Sequence, residues 1–146
     1  MSQSAMATEA TPPVAPPISG VVPMIHVADV ERSVEFYRLL GFRVGNKVPP
    51  AGSIHWAWLY SPAAADWKRG PNLMLTRSPC PIDAKAQEVL FYLYAADLGA
   101  LRQELVANGI AAGEIGYPDY LPQGEFRLID PDGYTLMIAQ SGKDTP

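Results

Sequence analysis

The chain has 146 residues, a formal net charge of −4 and a pI near 5.0. This length suits one domain with its own core and is short for two independent domains. The acidic balance argues against sequence-independent binding of nucleic acid, which needs clustered positive charge. The sequence also lacks an apolar run long enough to cross a membrane. We therefore expect neither a nucleic acid nor a membrane as a partner.

The two ends of the chain and its cysteine content bear on where the protein works. Residues 1–20 are rich in proline and small residues and lack apolar periodicity, which predicts a disordered tail without the features of a signal peptide. Residues 141–146 are predicted to form a short C-terminal tail. The single cysteine, Cys80, cannot form an internal disulfide, which favours a reducing compartment and predicts a cytoplasmic location.

A strand followed by a helix is predicted twice along the chain. An apolar run at 21–27 precedes Asp29, which is a suitable N-cap for a helix over residues 29–40 that Gly41 ends. A second apolar run at 89–94 precedes Asp97, and Gly109 ends the helix that follows. The two Asp–Gly pairs have the same spacing, so the chain contains an internal repeat.

Each helix is followed by three further strand candidates. They cover residues 42–44, 54–60 and 72–77 in the first half, and 110–115, 124–129 and 134–139 in the second. A Pro- and Gly-containing turn at 130–133 joins the last two. The sequence therefore predicts an α+β fold of two tandem βαβββ modules, at about residues 21–77 and 88–140. Whether the modules pair within one chain or swap between two chains depends on the linker at 78–87 and stays open.

The opening strand and helix, from Val22 to Phe42, and the closing hairpin, from Gly124 to Tyr134, carry a family resemblance. Together they resemble the glyoxalase/bleomycin-resistance/dioxygenase superfamily over residues 21–140, and in particular its metal-free, bleomycin-resistance-like branch. The resemblance implies a curved mixed sheet around a concave cavity, and it implies a homodimer.

Metal enzymes of this superfamily hold a divalent ion with His and Glu side chains on the concave sheet face. The corresponding positions here are Val22 and Leu90 on the first strand of each module, and Met74 and Met137 on the last. Val and Leu have no donor atom, and a thioether is a soft, weak ligand. The sequence therefore predicts that no metal and no other cofactor is bound.

Aromatic side chains in place of a metal centre would form a cavity for a flat or apolar ligand. Strand parity places the aromatic residues of the third strand on one face, and Tyr92 and Tyr94 on the face of Leu90. The predicted ligand-binding residues are His26, Trp56, Trp58, Tyr60, Tyr92, Tyr94, Phe126 and Met137. Each aromatic has core packing as its alternative role. Glu114, Asp119 and Glu125 would favour a cationic guest if they lined the cavity.

Two functions follow from the resemblance. The first is a protein of the bleomycin-resistance type that binds an antibiotic or aromatic metabolite without chemical conversion. The second is a lyase or dioxygenase of the same superfamily with an atypical metal site, for which His26 and Glu125 are the available donors. A third possibility is an interaction module for another protein, because a fold does not fix a function. No catalytic residue is predicted.

Overall fold

The computed structural model describes residues 17–63, 66 and 69–142. Most of the predicted N-terminal tail and the last four residues of the C-terminal tail lie outside these ranges. The first module contains β1 (Met24–Val27), α1 (Val30–Arg38), β2 (Arg43–Val48), β3 (Trp56–Tyr60) and β4 (Asn72–Arg77). After a 3-10 turn (Ala84–Ala86), the second contains β5 (Leu90–Ala95), α2 (Leu98–Ala107), β6 (Glu125–Ile129) and β7 (Thr135–Gln140).

The strands form two mixed sheets, one per module. The first has the order β1-β4-β3-β2, and the second has the order β5-β7-β6. In each sheet the first strand of the module runs parallel to the last, and the remaining pairings are antiparallel. The predicted α+β fold with a repeated strand–helix–strands order is confirmed.

Both helices begin and end where their capping residues predict. The Asp29 side chain accepts from the backbone N–H of Arg32 at 3.1 Å, and the Asp97 side chain accepts from Ala100 at 3.0 Å. Each bond satisfies one N–H that the first turn leaves without a helical partner. Gly41 and Gly109 follow the helices with φ of 93° and 81°, a backbone conformation that glycine adopts without strain.

The second module differs from the first at its predicted strand near residues 110–115. Only two isolated bridges form there, from Ala112 to Leu128 and from Gly116 to Glu125. Glycine weakens a strand because its backbone loses more entropy on folding and it offers no side chain to pack; Gly113 lies in this segment and Gly116 follows it directly. The sheet of the second module is therefore narrower than that of the first.

One hydrophobic core joins the helix-facing sides of both sheets. The Tyr37 hydroxyl on α1 donates to Asp130 Oδ2 at 2.8 Å in the β6–β7 turn, and both side chains are buried. In the same turn, Asp132 Oδ1 accepts from the backbone N–H of Ala28 at 2.8 Å. The Tyr134 hydroxyl donates to the carbonyl of His26 on β1 at 3.0 Å. These bonds hold the two modules of one chain together.

No helix within the described part of the chain is long and apolar enough to cross a bilayer.

Candidate functional site

In the first module, the sheet face directed away from the helices carries the three aromatic residues of β3. Its register places Thr76 of β4 between His26 of β1 and Trp56 of β3, because Thr76 pairs with His26 on one side and with Trp56 on the other. Trp58 and Tyr60 follow on the same face, and their rings stack at 5.4 Å with an interplanar angle of 22°. Residues on this face are half-buried or exposed, whereas the alternating residues of β3 are buried. We call this side of the two sheets the open face.

A glycine on the neighbouring strand makes room for the stacked rings. A Cβ placed on Gly45 would overlap the ring carbons Cε3 and Cζ3 of Trp58 and would lie 3.1 Å from Cδ1 of Tyr60. The strand register also shifts at this point, between Val44 and Asn46. The Trp58 ring therefore lies directly over the backbone of β2, which only glycine permits.

The open face of the second module carries Leu90, Tyr92 and Tyr94 on β5. Their exposed fractions are 45%, 42% and 40%, which is large for apolar and aromatic side chains in a folded domain. Met137 pairs with Tyr92 across the sheet and so lies on the same face. The two tyrosine rings stack at 6.3 Å with an interplanar angle of 25°. The predicted common face for these residues is thus present.

Phe126 does not join this face, and its assignment to the ligand site needs correction. It is 1% exposed and pairs with Ile138, which is also part of the hydrophobic core. The alternation along β6 explains the error, since Phe126 and Leu128 face the helices whereas Glu125 and Arg127 face the other way. Phe126 is a core residue, and we omit it from the site.

Glu125 is a buried carboxylate on the open face of β6, with 8% of its surface exposed. The Tyr92 hydroxyl donates to its Oε1 at 3.0 Å, and the Tyr120 hydroxyl donates to its Oε2 at 2.7 Å. Desolvation is the largest cause that raises the pKa of Tyr92, and the hydrogen bond to Glu125 raises it further. The hydrogen bond to Glu125 is the main cause that raises the pKa of Tyr120. Both phenols therefore stay protonated at neutral pH.

A crevice between the modules opens beside Tyr92 and Tyr94. Its volume is about 400 Å³, and its lining comes from both modules. The first module contributes Leu40, Phe42, Ser61 and Pro71; the second contributes Tyr92, Leu93, Tyr94, Ala95, Leu101 and Ile138. A smaller apolar crevice of about 190 Å³ shares Phe42, Pro71, Tyr92 and Leu93 with it. These volumes lie at or below the lower end of the range typical of small-molecule sites.

The positions that correspond to metal ligands in the superfamily do not fit a divalent ion. Met74 pairs with Met24 on the open face of β4, and Met137 pairs with Tyr92. Leu90 lies on the same face as Tyr92, and Val22 precedes β1. None of these side chains carries a hard or borderline donor. Among the described residues, no three His, Cys, Asp or Glu side chains come together as a set of metal ligands.

The other histidine, His55, lies outside the open face: both of its ring nitrogens are within 3.2 Å of Arg77 Nη2 on the exposed surface. The carboxylates considered from the sequence are dispersed. Glu114 lies 3.4 Å from Arg102 of α2, outside the open face, and Asp119 is exposed. Of the three carboxylates considered, only Glu125 is buried on that face. Tyr120 was not among the predicted ligand-binding residues, because its contact with Glu125 depends on the path of a loop.

Comparisons with known proteins agree with this architecture. Residues 21–52 match the family model described as bleomycin resistance protein-like N-terminal. A bleomycin resistance determinant encoded on the transposon Tn5 is 19% identical, with a TM-score of 0.66 over 85% of this chain and 98% of that one. A bleomycin-binding protein solved with bleomycin is 20% identical, with a TM-score of 0.64 over 86% and 100% of the two chains.

An antibiotic-binding protein, TnmS3 from Streptomyces sp. CB03234, is also 20% identical, with a TM-score of 0.64 over 88% of this chain and 100% of that one. No curated protein matches the sequence. At these identities the solved structures establish the fold. Together with the match at residues 21–52, they confirm the resemblance that the sequence predicted.

Proposed function

We propose that this chain, which has the fold of the bleomycin-resistance-like branch of its superfamily, binds a flat aromatic or apolar small molecule and does not alter it chemically. An antibiotic or an aromatic metabolite would be a ligand of this kind. The observation that carries the proposal is the pair of aromatic stacks, Trp58 with Tyr60 and Tyr92 with Tyr94, on the open face. The solved bleomycin-binding and antibiotic-binding proteins of the same fold support it.

Physical chemistry supports a ligand at this face. The stack of the second module is exposed and that of the first is half-buried, so both leave some apolar ring surface in water, and covering that surface is favourable by about 25 cal/mol per Å². His26, separated from Trp56 by Thr76 on the same face, would supply a polar contact at the edge of the aromatic surface, and Met74 and Met137 would adapt their flexible side chains to the ligand shape. A few polar groups among apolar walls are typical of ligand sites.

A homodimer and the absence of metal belong to the same proposal. Exposed apolar side chains on the open face include Met24 at 52% and Ile129 at 46%, in addition to Leu90 and the two tyrosines. Several large apolar side chains exposed on one side of the sheets favour a binding or subunit interface there. Both β1 and β5 are edge strands, which a second copy would cover. We expect light scattering to give twice the chain mass of 15.8 kDa, and a monomer at micromolar concentration would contradict the dimer.

The binding proposal is tested by a thermal-shift screen of antibiotics and aromatic metabolites, followed by calorimetric titration. An aromatic contact contributes about 0.5–1.5 kcal/mol beyond burial. With the lost burial, Trp56→Ala or Tyr92→Ala should weaken binding about tenfold or more, since about 1.4 kcal/mol is a factor of ten. Folded variants, checked by circular dichroism, that retain full affinity would contradict the proposal.

Tyr117→Ala is the matched control. Tyr117 is 68% exposed, and its ring lies near Gly124 beside Leu98, on the helix-facing side of the second sheet. Its removal should leave the affinity unchanged. Elemental analysis of protein purified without chelator tests the enzymatic alternative. About one transition metal per chain, lost in His26→Ala, would favour a metal enzyme over a binding protein.

A further inference from the structure

We propose that Glu125, together with the hydroxyl groups of Tyr92 and Tyr120, selects a positively charged group on the bound aromatic ligand. This inference rests on the proposed function, because it specifies the chemistry of a ligand on the same face. It starts from two hydrogen bonds, at 3.0 Å from Tyr92 and at 2.7 Å from Tyr120, that end on the two oxygens of one carboxylate.

The direction of these hydrogen bonds determines what the cluster offers a ligand. A phenol has one proton to donate, and each of these phenols donates it to Glu125. The hydroxyl oxygens and the carboxylate then have only lone pairs left. The cluster is therefore an array of acceptors, and a ligand that meets it must supply a donor or a positive charge.

The charge of the cluster is not balanced locally. Among the residues that the structure describes, no Lys, Arg or His forms an ion pair with Glu125, whereas the buried Asp132 is paired with Arg32. Arg127 lies two residues further along the same face, but its side chain is exposed and does not reach Glu125. A buried carboxylate without a counter-charge is costly unless a partner neutralises it.

The surroundings of the cluster suit an aromatic cation in particular. Tyr92 belongs both to the cluster and to the stack with Tyr94, so the charged and aromatic surfaces are continuous. Tyr92 is 42% exposed and Tyr120 is 69% exposed, so both side chains present open surface to a ligand next to the carboxylate. The faces of tyrosine rings attract cations through their quadrupole, which adds to the attraction of the carboxylate.

The test uses two probes of similar shape, N-methylquinolinium, which is cationic, and quinoline, which is neutral at pH 7.4. Calorimetric titration of the full chain should give at least tenfold tighter binding of the cation. Glu125→Gln retains the side-chain shape and an acceptor for one tyrosine but removes the charge. It should lower the affinity for the cation about tenfold and change the affinity for quinoline less than twofold. Glu114→Gln, at an exposed carboxylate outside the open face, should change neither affinity.

The outcomes separate this inference from the function on which it rests. If both probes bind with equal affinity, or if Glu125→Gln weakens both to the same extent, the selection of a cation is wrong while binding of aromatic ligands stands. If neither probe binds up to millimolar concentration, both proposals fail for ligands of this size. If Glu125→Gln unfolds, Tyr120→Phe replaces it. Tyr120→Phe removes one acceptor and one donor to the carboxylate, and unchanged preference for the cation in that variant would overturn the inference.

Discussion

Removal of the Tyr37 hydroxyl tests the hydrogen bond that links α1 to the turn between β6 and β7. In Tyr37→Phe the ring remains and keeps its edge-on packing. Its centroid lies 5.1 Å from that of Phe36 and 6.0 Å from that of Phe42. The lost interaction is the 2.8 Å bond to Asp130 Oδ2, which leaves that oxygen buried without this donor. A hydrogen bond to a charged group contributes about 1.5–3 kcal/mol, and we expect a loss of this size in the free energy of unfolding at pH 7.

The loss in unfolding free energy caused by Tyr37→Phe should depend on pH, because it depends on the ionisation of Asp130. Burial raises the pKa of Asp130, whereas the Tyr37 hydrogen bond lowers it. Removal of the hydroxyl therefore raises the pKa of Asp130 further. Ionised Asp130 needs the donor more than the neutral acid does, so the destabilisation should shrink as the pH falls through the raised pKa of the folded protein. The difference between wild type and Tyr37→Phe should be larger at pH 7 than near pH 4.

Urea unfolding followed by circular dichroism measures both effects, with Asp130→Asn and the double variant completing a mutant cycle. The side-chain amide oxygen in Asp130→Asn would still accept from the backbone N–H groups of Asp132 and Tyr134, as Asp130 Oδ1 does at 2.9 Å. We expect a coupling energy of at least about 0.5 kcal/mol between positions 37 and 130. A Tyr37→Phe loss below about 0.5 kcal/mol at pH 7, or a loss that grows on acidification, would refute the reasoning.

Three further substitutions test the site and its framework. Gly45→Ala should displace the Trp58 ring, which should cost about 1–3 kcal/mol of unfolding free energy and shift the tryptophan fluorescence. Unchanged fluorescence and stability would mean that the ring does not lie on β2. Leu128→Ala, at a fully buried position, should cost about 2–5 kcal/mol in urea unfolding, while Ile129→Ala at a position 46% exposed should cost far less. Asp29→Ala should lower stability by about 1 kcal/mol through loss of the helix cap, and a thermal melt equal to wild type would contradict that role.

Local patterns predicted the elements of this fold well. Asp29 and Asp97 begin the helices and Gly41 and Gly109 follow them, because capping bonds and a positive φ are local requirements. Strand parity correctly placed Trp56, Trp58 and Tyr60 together on one side of β3, and Tyr92 with Tyr94 together on one side of β5, since side chains alternate along any strand.

Long-range features were beyond these local patterns. The bonds from Tyr37 to Asp130 and from Tyr134 to His26 join residues far apart in sequence, and no spacing rule predicts such pairs. The contact of Tyr120 with Glu125 depends on a loop whose path composition does not determine. Phe126 is different, because its alternation with Glu125 and Arg127 already indicated the core side of β6.

The most direct test of the binding site is an NMR titration of the ¹⁵N-labelled chain with a hit from the thermal-shift screen. The three tryptophan residues of the sequence give three indole N–H signals, which single Trp→Phe variants would assign. We predict that the indole signals of Trp56 and Trp58 and the backbone signals of Tyr92 and Tyr94 shift in proportion to bound ligand, while those of Tyr117 do not. Shifts confined to the helix-facing side or to the surface around His55, with the open face unaffected, would contradict the proposed binding site.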